Sequence, residues 1–374
     1  MTYEPIFKLP YSNIFITDLF VPAYGKFEPI VTIKNGKWEF FLSEEILKEL
    51  AEQGFQMALD EKTFKSFEER YKIFLEKTNK LKEIKIQEIS KEEFISFLKE
   101  FKQFVNEFFD TYKETEFFYF NKVETELNNY VKQTGHSFEE VLSNKVNLAS
   151  WPEKERKLAD YTISMQHLKF EYRKLLNDLA LGPNSLLSEV LGQIVMKTNR
   201  EDSTSMTSKE IEKLLEGKEI KDCSERHVYS FVKWDKEKEQ LIISSGGEAY
   251  RKIRELEKEI PKEEVIGTPA SKGCAKGKVR IIPFSMNPEE HLHKFQKGEV
   301  LVSTTTGPEM VVIMEKAVAI VTDEGGLMSH AAIISREFNI PCVVGTKYAT
   351  EVFKDGDLIE VNANNGIVKK IEKL

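Results

Sequence analysis

Two adjacent glycines, Gly325 and Gly326, precede a histidine, His330, in the string Thr322-Asp323-Glu324-Gly325-Gly326-Leu327-Met328-Ser329-His330. Ahead of them, Ala317 to Val321 is an apolar, β-branched run of the length a buried strand uses. Behind them, Ser329 to Phe338 reads as a helix. Ala331 and Ala332 suit its interior, Ile333 and Ile334 give it a buried side, and Arg336 sits near its end. The glycines therefore turn a strand into a helix whose first turn carries His330. Unpaired backbone N–H groups and the positive end of the helix dipole favour an anion there. Neutral imidazole is a nucleophile, so His330 could accept a phosphoryl group and hold it against donors already in place. A histidine beside a glycine turn can equally be structural or merely exposed, and spacing alone does not choose between these.

The elements that must position this segment differ along the chain. The first forty residues lean towards strands: Asn13 to Phe20, Ile30 to Ile33, and Trp38 to Phe41 after the hairpin turn Lys34-Asn35-Gly36-Lys37. Ser43 then caps a helix, and helices dominate to about residue 180. Capping-box patterns stand at Ser90–Glu93, Ser137–Glu140, Ser150–Glu153 and Thr207–Glu210. Phe94, Phe97, Phe101, Phe104, Phe108 and Tyr112 fall three or four apart, an aromatic stripe that reads as core or as the lining of a pocket. Phe117-Phe118-Tyr119-Phe120 exceeds what one helix face can bury, so these rings must meet a neighbouring helix, a partner or a ligand. The helix opened by Ser150 turns Leu158, Tyr161, Met165, Leu168, Tyr172, Leu175, Leu176 and Leu179 inward and stops near Gly182-Pro183. Residues 251–264 are crowded with charge and read as a solvated linker or hinge. From Val265 onward, short β-branched segments alternate with glycines, and 366–369 closes a hairpin over Asn364-Asn365.

Composition narrows the function classes. With 41% hydrophobic and 31% charged residues the chain is that of a globular protein, long enough for two or three domains. A net charge of −8 without a basic tract argues against nucleic acid as a partner. Three scattered cysteines fit a reducing, cytoplasmic setting, and neither a signal peptide nor a membrane span is expected. His136, His167 and His227 lack metal-ligand spacing, and the pair His291 and His293 reads as a solvated segment; no metal site is expected.

The string from Gly325 through His330 and Arg336 to Pro341 and Gly345 resembles the phosphohistidine segment of the PEP-utilising enzymes, the family of phosphoenolpyruvate synthase, pyruvate phosphate dikinase and rifampicin phosphotransferase. Gly267 to Ile281 is similar to the start of that family's swivelling domain, and the likeness covers about residues 265–374. A looser likeness, over Asn199 to Leu215, is to the helical segment before that domain in rifampicin phosphotransferase-like proteins. The resemblance implies that His330 carries the phosphoryl group, with Gly325, Gly326, Ser329, Thr306 and Arg336 supporting the phosphate. Arg336 reads equally as a structural ion pair. Thr304, Thr305 and Thr306 face the phosphate only through the likeness, since by propensity they are ordinary strand residues. Met328 stands where the synthases and dikinases carry threonine, which is closer to the rifampicin phosphotransferases.

The expected fold is α+β: residues 1–250 mainly helical with a β-hairpin lead-in and a possible acceptor-binding region, 251–264 a hinge, and 265–374 a β/β/α swivelling domain. No stretch suits a triphosphate-cradling loop, and nothing has the strand–helix repeat of a pyruvate-binding barrel. The resemblance then implies a stand-alone phosphotransferase component. Mg-ATP would be bound by a separate ATP-grasp partner, this chain would bind no cofactor, and the acceptor would be an unidentified small molecule. The alternative is a non-catalytic or regulatory binding module that has kept the fold.

Overall fold

Helix starts are set where short polar side chains satisfy first-turn amides, and strands where β-branched runs find a partner. The computed structural model describes residues 3–9, 13–35, 37–181, 184–256, 263–282 and 294–371. Within it the chain forms two compact units. One comprises Met1–Lys48, Ser66–Glu114 and Leu175–Glu257; the other comprises Glu49–Lys65, Thr115–Lys174 and Lys258–Leu374. The class is α+β, with a helical N-terminal region followed by a strand-rich C-terminal one.

In the first unit the strands β1 (Tyr3–Leu9), β2 (Ile30–Lys34), β3 (Lys37–Ser43), β4 (Tyr229–Asp235) and β5 (Gln240–Ser245) form one antiparallel sheet in the order β1-β3-β2-β4-β5. The expected β2–β3 hairpin is present; Gly36 in its turn lies outside the described residues. The expected strand at Asn13 to Phe20 is instead a helix, Ile14–Phe20. Asn13 Oδ1 accepts the Ile16 N–H at 2.9 Å, and Ile14, Phe15 and Leu19 bury one side, so a cap and tertiary burial override β propensity. The helix Lys91–Tyr112 starts at the Ser90 capping box, and every residue of its aromatic stripe is buried.

The second unit contains the helices Phe117–Thr134 and, up to Lys174, Glu153–Leu176. Phe118, Tyr119 and Phe120 are all buried, and Phe120 stacks on Tyr161 at 5.6 Å, so a neighbouring helix supplies the second surface. Ser150 does not open the long helix. It ends a 3-10 turn, Leu148–Ser150, and the helix begins at Glu153, because Trp151 before Pro152 is held extended at φ −78° and ψ 151°. The inward residues named above are buried as expected, but the helix passes into a π turn, Asn177–Leu181, and Gly182-Pro183 lies outside the described residues. Of the charged stretch 251–264, a helix Gly246–Leu256 carries the start and residues 257–262 lie outside the described residues; so do His291 and His293.

The strands β6 (Glu264–Ile266), β7 (Thr268–Ser271), β8 (Cys274–Ile281), β9 (Val300–Ser303), β10 (Ala319–Thr322), β11 (Cys342–Val344), β12 (Leu358–Asn362) and β13 (Ile367–Lys370) are arranged β6-β13-β12-β8-β9-β10-β11-β7. Strands β8 to β11 run parallel along that order; the flanking pairs are antiparallel. Val279, Val300, Val302, Val321, Val343 and Phe353 pack the core beneath. Strands β9 and β10 are buried at every position, which explains why they read as unbroken apolar runs. Among the described residues no helix is long and apolar enough to cross a membrane.

Candidate active site

Parallel strands deliver their carboxyl ends to one edge, and loops from three of them meet there. The loop after β9 carries Thr304, Thr305 and Thr306; the loop after β10 carries Asp323 to Ser329; the loop after β11 carries Gly345 to Lys347. Backbone bonds fasten these loops together: Asp323 N–H donates to Ser303 O at 3.0 Å, Glu324 N–H to Thr304 O at 2.9 Å, and Thr346 N–H to Thr322 O at 3.0 Å. The buried Asp323 carboxylate accepts from Thr346 Oγ1 at 3.1 Å and from the Thr350 N–H at 3.3 Å. The carboxyl edge of a parallel sheet is where such folds place ligands.

Gly325 has φ 111°, and a Cβ on it would lie 2.8 Å from Ser329 Cβ, so both conformation and space demand glycine. The turn delivers Ser329 as the N-cap of the helix His330–Glu337, where its Oγ accepts the Ala332 N–H at 3.3 Å. His330 follows in the first turn. Its Nδ1 lies 2.9 Å from Thr306 Oγ1. Its Nε2 is buried and has no hydrogen-bond partner among the described residues. Phe170, from the Glu153–Leu176 helix, stacks over the imidazole with centroids 6.4 Å apart and planes 9° from parallel. Burial, helped by the positive charge of Arg173, pushes the His330 pKa down to about 4, so the ring is neutral at neutral pH.

Glu124, on the helix Phe117–Thr134, takes up the amides of the glycine loop. Its carboxylate accepts from the Leu327 N–H at 3.0 Å and the Met328 N–H at 3.2 Å. A Cβ on Gly326 would come within 3.1 Å of Glu124 Oε2, so this glycine makes room for the carboxylate. Glu124 is buried, and burial holds its pKa above the usual carboxylate range against the pull of the two amides, Lys169 and Arg336. Burial lowers the Lys169 pKa, countered by Glu116 and Glu124.

The structure thus brings Gly325, Gly326, Ser329, Thr306 and His330 together. Arg336 lies six residues along the helix, roughly 9 Å of rise, and from a buried position its Nη1 donates to Ala270 O at 3.3 Å. A cation and a ring also act on the imidazole from Arg173 and Phe170, three apart on one helix face. Sequence reading passed over these two and Glu124, because it followed the apolar stripe of the Glu153 helix and neither the Lys169–Phe170–Arg173 face nor a lone acidic residue stood out.

Residues 295–366 match the PEP-utilising enzyme mobile domain. Over this segment the chain is similar to that mobile domain. The chain is 48% identical over 127 residues to a probable phosphoenolpyruvate synthase of Archaeoglobus fulgidus, covering 32% of this chain and 16% of that protein. It is 45% identical over 126 residues to the phosphoenolpyruvate synthase of Aeropyrum pernix, covering 32% of this chain and 15% of that one. It is 41% identical over 109 residues to an uncharacterized phosphotransferase of Bacillus subtilis, covering 29% and 13% respectively. The chain therefore spans about one sixth or less of the length of these relatives, and the likeness lies in the mobile-domain region. His330 stands within the matched mobile domain, at the first turn of its glycine-led helix.

Proposed function

We propose that the chain is the phosphoryl-carrying component of a phosphotransferase and that His330 Nε2 is the carrier atom. The supporting observation is the division of labour between the imidazole nitrogens. With Nδ1–H donating to Thr306 Oγ1, the lone pair remains on Nε2, which has no hydrogen-bond partner among the described residues. Neutral imidazole is the nucleophilic form, and its depressed pKa keeps it so well below pH 7.

In the charging step the Nε2 lone pair attacks the donor phosphorus, a P–N bond forms and a P–O bond of the donor breaks. In the delivery step an acceptor oxygen attacks the same phosphorus, the P–N bond breaks, and its electron pair returns to Nε2. Ser329 and Gly325 set the turn that aims the ring, Thr306 fixes its tautomer, and Phe170 excludes water from one face. Arg173 lends positive charge to an incoming phosphoryl oxygen. Arg336 supports the helix from behind. We place the donor, Mg-ATP, on an ATP-grasp partner in the cytoplasm, and the acceptor is a small molecule; synthases and a phosphotransferase among the relatives favour that class of reaction.

Phosphoramidate, a small-molecule phosphoryl donor, tests the carrier atom without any partner. Acid-labile, base-stable label is expected on the wild-type protein and none on His330→Ala. Label that persists in the variant would move the site, and absence of label on the wild type would favour a binding module that has kept the fold. Mg-ATP alone should leave the protein unlabelled, and adding the ATP-grasp partner should label His330.

A further inference from the structure

A carboxylate on the helix Phe117–Thr134 occupies amides that lie immediately before His330. We propose that Glu124 is a resident anion on the carrier loop, a latch that holds the loop while His330 is free and is displaced when His330 carries a phosphoryl group. The inference rests on the carrier reading above and adds its regulation.

Three features of the site support a latch over an ordinary structural ion pair. First, both donors to Glu124 are loop amides, Leu327 N–H and Met328 N–H, at 3.0 and 3.2 Å; Lys169 and Arg336 influence it only through charge. Second, Gly326 is shaped to it, since any side chain there would press on the carboxylate. Third, Glu124 is only 6% exposed, so burial raises its pKa and disfavours a second negative charge close to it. Paired backbone N–H groups at a turn before a helix are a site for oxyanions in general, and a carboxylate is one such anion.

Met328 is two residues from His330. A phosphoryl group on Nε2 brings a charge of roughly −1.5 to −2 and strong acceptor oxygens to a loop that already holds a buried carboxylate. The added charge then stands on the segment that carries both donors to Glu124, and repulsion between the two anions favours release of Glu124. Loss of the phosphoryl group to an acceptor restores the vacancy and the latch re-forms. The free carrier loop is thereby held on the helix Phe117–Thr134, and the rate at which it is recharged depends on how often Glu124 lets go.

The test uses the full chain and phosphoramidate, in which the P–N bond of the reagent breaks, Nε2–P forms and ammonia leaves. Glu124→Gln and Glu124→Ala should accept label on His330 roughly tenfold faster or more, as loss of one charge-assisted hydrogen bond implies. Folding of each variant is followed by its melting curve; Glu124→Gln keeps shape and volume should Glu124→Ala fail to fold. An independent reading needs no variant: in wild-type protein, phosphorylation should speed hydrogen exchange at the Leu327 and Met328 amides. Equal labelling rates in wild type and variants, or unchanged protection after phosphorylation, overturns the latch and leaves the carrier reading intact. No label on His330 in any of the proteins overturns both, since the latch is defined by the phosphoryl group it yields to.

Discussion

Two helices rich in aromatic residues use them in opposite ways. In Lys91–Tyr112 the rings close on one another: Phe94 stacks on Phe97 at 6.2 Å and Phe97 on Phe101 at 5.9 Å, all of them buried. In Glu153–Leu176 one ring, Phe170, lies against a histidine and stands beside Lys169 and Arg173. The first arrangement is a core, and the second sets a ring and a cation to act on a buried imidazole. Density of aromatic residues marks the core; a ring next to desolvated charge marks the site, because only there does the environment change the state of a reactive group.

The largest effect separating the two helices should come from the core. Phe101→Ala removes a fully buried ring and is expected to cost about 3–5 kcal/mol of stability, read as a lowered denaturation midpoint. Below that midpoint the labelling of His330 by phosphoramidate should be unchanged. A loss of labelling in a folded Phe101→Ala protein would break the distinction.

Phe170→Ala should do the reverse, with a smaller stability change and a larger change at His330. Removing the ring admits water, so the imidazole pKa should rise from about 4 towards 6.5, measurable by NMR titration of the ring protons. The sign of the stability effect follows. In the wild type the folded value is the lower one, so between about 6.5 and about 4 only the unfolded chain binds a proton at this residue. The stability that the neutral ring contributes is present above that window and lost as pH falls through it. Phe170→Ala should flatten this slope, and labelling by the wild type should stay level between pH 8 and 6 where the variant's declines. A wild-type imidazole that titrates near 6.5 would contradict the setting described for it.

Thr306→Val sharpens the comparison at its finest grain. It removes one hydrogen bond to Nδ1 while keeping the shape, an effect of about 1 kcal/mol or roughly fivefold. Labelling should slow by that factor with little change in melting temperature. An unaltered rate would show that Thr306 does not set the tautomer.

Much of the site was legible because its logic is local. Gly325-Gly326, the Ser329 cap and His330 in the first turn depend on bonds spanning a few residues, and the sequence carries those directly. The strand ahead of the glycines showed as the apolar run Ala317 to Val321 because β10 is buried at every position. Asn13–Phe20 misled because β-branched residues speak for strands, whereas a single cap and the packing of Ile14 and Phe15 settled on a helix.

What the chain could not announce by itself is which distant groups surround His330. Glu124 reaches Leu327 across 203 residues, and Phe170 reaches His330 from a different helix. Neither contact leaves a periodic or local trace, because each depends on how separately specified elements pack. Sequence determined that a histidine would sit at a glycine-led helix start. Tertiary structure decided that its ring is kept neutral by burial beside Arg173, that Thr306 takes one nitrogen, and that Arg336 turns to Ala270 instead. Desolvation and long-range charge belong to the assembled surroundings, and only folding assembles them.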